Sequence, residues 1–146
     1  MKIKSSMTKD VITVRPEDSL ADAAAKLSIT RLHVLPVLDA EHKLLGLLLE
    51  RDVLAAVTRA HPEPSDVPLY QLARFVLPNQ TVRDVMKPPT ATVRPNIALR
   101  EAARQMLEHG VYGLPIVDDE NTLLGVFTVT NMLEAVTQGD LVLLWP

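Results

Sequence analysis

Two short stretches hold polar residues at the junction of an apolar run and a helix-like segment. The first is Gly46-Leu47-Leu48-Leu49-Glu50-Arg51-Asp52, and the second, 79 residues further on, is Gly125-Val126-Phe127-Thr128-Val129-Thr130-Asn131. Asp52 and Asn131 fall where a helix should begin, and either residue is an acceptable N-cap. A carboxylate at a helix N-terminus is favoured by the local dipole and can accept from two hydroxyl donors at once. Asn131 carries no charge, and its NH₂ end is a donor. Thr128 adds a hydroxyl where the first stretch has Leu49. Asp52 therefore admits two readings, a helix cap or a receptor for paired hydroxyls, while Asn131 reads first as a cap.

The rest of the chain offers little other chemistry. The four histidines, 33, 42, 61 and 109, share no metal-ligand spacing. There is no cysteine, which removes disulfides, thiolate metal sites and a thiol nucleophile together. No Ser-His-Asp or paired-carboxylate arrangement is readable, so no catalytic residue and no metal ligand is assigned. A net charge of -3 and 3% aromatic residues disfavour both a basic phosphate-binding face and a stacking platform for nucleic acid. The longest apolar run, Leu44 to Leu49, is far short of the roughly 20 residues that span a bilayer, and Met1-Lys2-Ile3-Lys4 leads into polar residues rather than a signal-peptide core. These features predict a cytoplasmic protein with no membrane and no nucleic-acid partner.

The two stretches are the ends of a longer internal repeat. The 79-residue offset holds without a gap from Met7/Met86 through Thr13-Val14-Arg15-Pro16/Thr92-Val93-Arg94-Pro95 and Leu35-Pro36/Leu114-Pro115 to Val57/Val136. Two such copies, each short for independent stability, are expected to bury their apolar faces against each other about a pseudo-twofold axis. At 146 residues with 47% hydrophobic content, one two-repeat domain can hold a packed core.

Each copy reads as β-α-β-β-α. Val11 to Val14 predicts a short strand stopped by Pro16. Asp18 or Ser19 can cap a helix whose apolar stripe is Leu20, Ala23, Ala24 and Leu27, matched in the second copy by Leu99, Ala102, Ala103, Met106 and Leu107. Gly110 suits the left-handed end of that second helix, where the first copy has Arg31. Val34 to Leu38 and Leu44 to Leu49 flank a polar turn and predict a hairpin, repeated by Leu114 to Val117 and Leu123 to Thr128. Their continuous apolarity predicts strands buried on both faces. Thr81 to Met86 aligns with Lys2 to Met7, giving each repeat a lead-in of its own. The expected organisation is repeat 1 over residues 1–60, a proline-containing linker with a short helix over 61–79, and repeat 2 with the tail over 80–146. The apolar tail Leu141 to Trp145 is expected to cap the core, the alternative being contact with a partner subunit.

These residues resemble a tandem pair of cystathionine-β-synthase (CBS) domains, often called a Bateman module. The resemblance rests on Met-Thr-Lys-Asp-Val-Ile-Thr-Val-Arg-Pro at 7–16, the capped amphipathic helix, Leu-Pro-Val/Leu-Pro-Ile, the polar turn, and Leu-Leu-Gly followed by a helix start, all in order twice. It implies an α/β fold of two β-α-β-β-α repeats packed sheet to sheet with helices outside. It also implies a regulatory role rather than catalysis, a homodimer, and two inter-repeat clefts that take adenosyl compounds such as AMP, ATP or S-adenosylmethionine as regulatory ligands, with no cofactor required.

The ligand motif of such modules is Gly-h-h-Thr/Ser-x-x-Asp, where h is apolar. The resemblance gives its Asp to both ribose hydroxyls and its Thr or Ser to ribose or phosphate. The first copy keeps the Asp and the second keeps the hydroxyl, so neither is complete. By resemblance, Asp52, Arg51 and Leu49 would share the preferred cleft with Thr92, Val93, Gly113 and Leu114. Thr128 and Asn131 would share the second with Thr13, Val14, Val34 and Leu35. Backbone of the strands that stop at proline would pair with an adenine edge, and Arg51 and Arg31 could neutralise a phosphate. The expected function is a stand-alone sensor of an adenosyl ligand that signals to a partner protein; the alternative is a ligand-free dimerisation or docking scaffold.

Overall fold

The computed structural model describes residues 2–30, 33–59 and 68–138. Arg31, the linker residues 61–67 including His61, and the Leu141 to Trp145 tail lie outside the described residues. In chain order the helices and strands are α1 (Leu20–Ile29), β1 (Val34–Leu38), β2 (Leu44–Leu49), α2 (Glu50–Arg59), α3 (Leu69–Val76), α4 (Val82–Val85), α5 (Leu99–His109), β3 (Gly113–Val117), β4 (Leu123–Thr128) and α6 (Val129–Thr137). Short 3₁₀ turns lie at Ile3–Ser5 and Leu77–Asn79. The chain divides into two compact units, Ile12–Pro89 and Met1–Val11 with Thr90–Pro146. Each is an α/β unit with one antiparallel hairpin, β1 with β2 or β3 with β4.

In the first unit Ser19 caps α1, its hydroxyl accepting from Asp22 N–H at 3.1 Å, while Asp18 instead accepts from Arg15 N–H at 2.9 Å. Leu20, Ala23 and Leu27 then point one stripe into a core with Val14, Leu35, Val37 and Leu48. In the second unit Ala102 and Met106 do the same beside Val93, Leu114, Ile116 and Phe127. Gly110 closes α5 at φ 62°, a conformation that costs glycine little. Leu107 departs from the expected stripe and is 84% exposed, because α5 buries a narrower face than five apolar residues suggest.

The two hairpins share a turn. Asp39 Oδ1 accepts from the backbone N–H of Glu41 and Lys43, and Asp118 Oδ1 accepts from Glu120 and Thr122, all at 2.9 Å. His42 and Asn121 take the left-handed position of that turn at φ 66° and 64°. His42 therefore has a turn role, as its place in the polar segment suggests. β1 is buried throughout, but β2 exposes Leu45, so the expectation of strands buried on both faces is met only in part.

The predicted strand at Val11 to Val14 forms only an isolated parallel bridge, Val14 to Val37, mirrored by Val93 to Ile116. Pro16 and Pro95 follow too closely for a longer ladder, since proline lacks the N–H that a ladder needs.

A larger departure concerns the lead-ins. Residues 81–87 pack on the unit that holds repeat 1, and residues 2–8 pack on the unit that holds repeat 2. Val82 is fully buried in the first core and Ile3 in the second. Thr81 N–H donates to Asp84 Oδ2 at 2.9 Å to start α4, and Val82 N–H donates to Asp18 O at 2.9 Å. On the other side Ile3 N–H donates to Ile97 O at 3.2 Å. Each repeat is thus completed by the lead-in that the sequence assigns to the other.

Candidate functional site

Residues 52 and 131 are held by the same pair of local devices. In the first, a strand runs straight into a helix: β2 ends at Leu49 and α2 begins at Glu50, while β4 ends at Thr128 and α6 begins at Val129. The helices therefore start earlier than the sequence suggests, and Asp52 and Asn131 are third residues of their helices rather than N-caps. The capping position belongs to Thr128 and, in the first unit, to the hydrocarbon side chain of Leu49.

The second device is a glycine in the strand. A Cβ on Gly46 would lie 2.6 Å from the Lys87 carbonyl oxygen, and one on Gly125 would lie 2.5 Å from that of Thr8. Glycine at these points lets the lead-in backbone close onto the strand. Leu47 and Lys87 exchange two backbone hydrogen bonds, at 2.8 and 3.0 Å, and Val126 and Thr8 do so at 3.0 and 2.9 Å. The side chain that follows each methionine, Lys87 after Met86 and Thr8 after Met7, is thereby delivered to Asp52 and Asn131.

What these residues make of the shared frame differs. In the second unit the polar groups close on one another. Thr128 Oγ1 accepts from Asn131 N–H at 3.1 Å, Asn131 Oδ1 accepts from Thr128 N–H at 2.9 Å, and Asn131 Nδ2 donates to Thr8 Oγ1 at 3.3 Å. This reciprocal capping box satisfies helix N–H groups that would otherwise lack partners.

In the first unit Leu49 supplies no hydroxyl. Asp52 is only 8% exposed, and its Oδ1 takes a single ion pair from Lys87 Nζ at 2.9 Å. Its Oδ2 is buried with no hydrogen-bond partner among the described residues. A buried carboxylate oxygen left in that state is costly, and such groups call for an explanation beyond packing.

The other expected site residues fall into two groups. Val14 and Leu35 lie in the core of the first unit, and Val93 and Leu114 in that of the second. The backbone of Val14 is already paired, donating to Pro36 O at 3.0 Å and accepting from Leu38 N–H at 2.9 Å; Val93 pairs likewise with Pro115 and Val117, both at 3.0 Å. The backbone N–H and C=O of Val14 and of Val93 are therefore taken up by the parallel bridges. Val34, paired with Leu49, is buried; Gly113, paired with Thr128, is partly so. Thr13 is half-buried, and Thr92 and Arg51 are exposed. Arg31 lies outside the described residues.

Sequence reasoning missed Lys87 and Thr8. The signal available was a glycine inside an apolar strand, which marks a close backbone approach, together with a lead-in of matching length. Among the described residues no group of His, Cys, Asp and Glu is arranged to hold a metal ion, and no helix is long and apolar enough to cross a membrane.

Comparison with known proteins places this arrangement in a family. The CBS domain pattern matches residues 2–59 and 82–138. Inosine-5'-monophosphate dehydrogenase of Methanocaldococcus jannaschii is 32% identical over 91% of this chain, but the match spans only 23% of that enzyme. The solved structure of the CBS-pair protein CBSX2 from Arabidopsis thaliana is similar at a TM-score of 0.81 and 29% identity, covering 94% of each chain. A structure of CBSX2 in complex with AMP is similar at a TM-score of 0.77 and 28% identity, covering 94% of this chain and 97% of that one. With the pattern matched twice and the paired fold shared, the chain belongs to the CBS-domain family and is a tandem pair of CBS domains.

Proposed function

We propose that this CBS pair is a regulatory module that binds an adenosyl compound (AMP, ATP or S-adenosylmethionine), with Asp52 as the anchor for the ribose. The observation that carries the proposal is the buried Asp52 carboxylate with Oδ2 unpartnered. Two vicinal hydroxyls are the donors that such a carboxylate lacks, and a ligand supplying them removes the cost of the orphaned oxygen. The AMP complex of CBSX2 supports an adenosyl ligand for a chain of this fold.

Binding regulates only through unequal affinity for two states of the module, which a partner protein then reads. The reading is regulatory rather than catalytic. The match to the dehydrogenase covers a minor part of that enzyme, and among the described residues no pair of nucleophile and base is named. Leu54 on α2 and Leu133 at the equivalent position on α6, 53% and 59% exposed, are each proposed to contact a second copy in a homodimer. A monomer by light scattering contradicts that part.

Calorimetric titration of the purified chain with AMP, ATP and S-adenosylmethionine tests the central point. Heat of binding is expected with at least one of them. No heat and no rise in melting temperature at millimolar ligand sinks the proposal. In favour of the second reading, a ligand-free docking scaffold, stands the Asn131 site, whose polar groups already satisfy one another.

A further inference from the structure

We infer that Lys87 is a specificity-determining residue that makes the Asp52 site select adenosyl ligands with an anionic phosphate over neutral or cationic ones; this rests on the ribose role proposed for Asp52. Three observations converge on it. The backbone of Lys87 is fixed by two hydrogen bonds to Leu47 and by the contact that Gly46 permits. Its side chain is 58% exposed, yet its Nζ reaches a carboxylate that is only 9% exposed. The equivalent residue in the second unit is the uncharged Thr8, facing the uncharged Asn131. Charge has thus been placed on both members of one pair and on neither member of the other.

The consequence follows from what a ligand does to the pair. Ribose hydroxyls arriving at Asp52 compete with Lys87 for Oδ1 and fill the vacant lone pairs of Oδ2. Lys87 is then an ammonium on a flexible four-carbon stem beside a buried negative charge, and it is free to turn to a second anion. A 5'-phosphate supplies that anion. Adenosine does not, and S-adenosylmethionine, whose sulfonium and ammonium outweigh its one carboxylate, brings net positive charge towards Lys87 and is disfavoured.

The test is calorimetric titration of the full chain with adenosine, AMP and S-adenosylmethionine, in the wild type and in Lys87→Thr and Lys87→Arg. The wild type is expected to bind AMP about tenfold more tightly than adenosine, the effect of one charge-assisted contact. That gap narrows as salt rises. Lys87→Thr, which installs the residue of the other repeat, brings AMP to the affinity of adenosine, whereas Lys87→Arg preserves the gap. The inference is overturned by a wild type that binds adenosine or S-adenosylmethionine as tightly as AMP, a result that requires no variant to fold. It is equally overturned if Lys87→Thr keeps the preference for AMP. Failure of the wild type to bind any of the three is different: it removes the ribose role of Asp52, and this inference with it.

Discussion

Asp52 and Asn131 occupy the same place in two copies of one fold: third in a helix, behind a strand glycine and beneath a lead-in segment. They differ in what the neighbours leave unspent. Around Asn131, Thr128 and Thr8 use the available donors and acceptors within the protein. Around Asp52, Leu49 contributes nothing polar and Lys87 satisfies one oxygen, leaving the other buried with no partner among the described residues. Repetition of the fold therefore reproduces position, whereas the proposed ligand site is expected only where the polar groups delivered to that position are not already paired.

The largest perturbation of this comparison removes the shared frame itself. Gly46→Ala drives a Cβ against the Lys87 carbonyl, and Gly125→Ala drives one against that of Thr8. Each is expected to cost about 2 kcal/mol in urea unfolding, the usual size of an overpacking error with backbone as the obstacle. Gly46→Ala alone is expected to displace Lys87 from Asp52 as well.

Next in size is the capping box. Thr128→Ala is expected to cost about 1 kcal/mol by the same measurement, since Asn131 N–H loses its acceptor. Leu49→Thr runs the comparison in reverse. It offers the first unit the missing cap and is expected to gain about 0.5 kcal/mol after the loss of some buried hydrocarbon.

The smallest effect is expected at α5, whose Glu101 pairs with Arg104, an arrangement that Asp22 and Ala25 cannot reproduce in α1. The hydrogen bond from Arg104, followed by that from Gln105, holds the Glu101 carboxyl down at about 2, from an ordinary 4.5. Because the folded value is depressed, the stabilisation is complete above pH 4.5 and is lost as pH falls towards 2. Glu101→Gln should flatten that part of an acid-unfolding profile slightly, because the group is exposed and screened.

Much of the frame was legible in the sequence. The 79-residue offset, the Ser19 cap, the Gly110 terminator and the Asp39 and Asp118 turns all depend on near neighbours, and local chemistry determines them. The exchange of lead-ins was not legible. Nothing in the spacing of Lys2 to Met7 or Thr81 to Met86 tells which hairpin will receive them. Pairing between segments more than a hundred residues apart, as for Thr8 and Val126, leaves no periodic trace. Lys87 beside Asp52 and Thr8 beside Asn131 were hidden because both residues belong to those lead-ins. The ligand motif itself was visible, but its glycine reads as part of a binding signature until Lys87 and Thr8 are seen to lie against it.

Stoichiometry of AMP binding by calorimetry tests the asymmetry most directly, using wild type, Asp52→Asn and Asn131→Asp. One AMP per chain is expected for the wild type, none for Asp52→Asn, and a second site in Asn131→Asp, where a carboxylate joins the hydroxyl already present at Thr128. Two equivalent sites in the wild type, or undiminished binding in Asp52→Asn, would contradict that asymmetry.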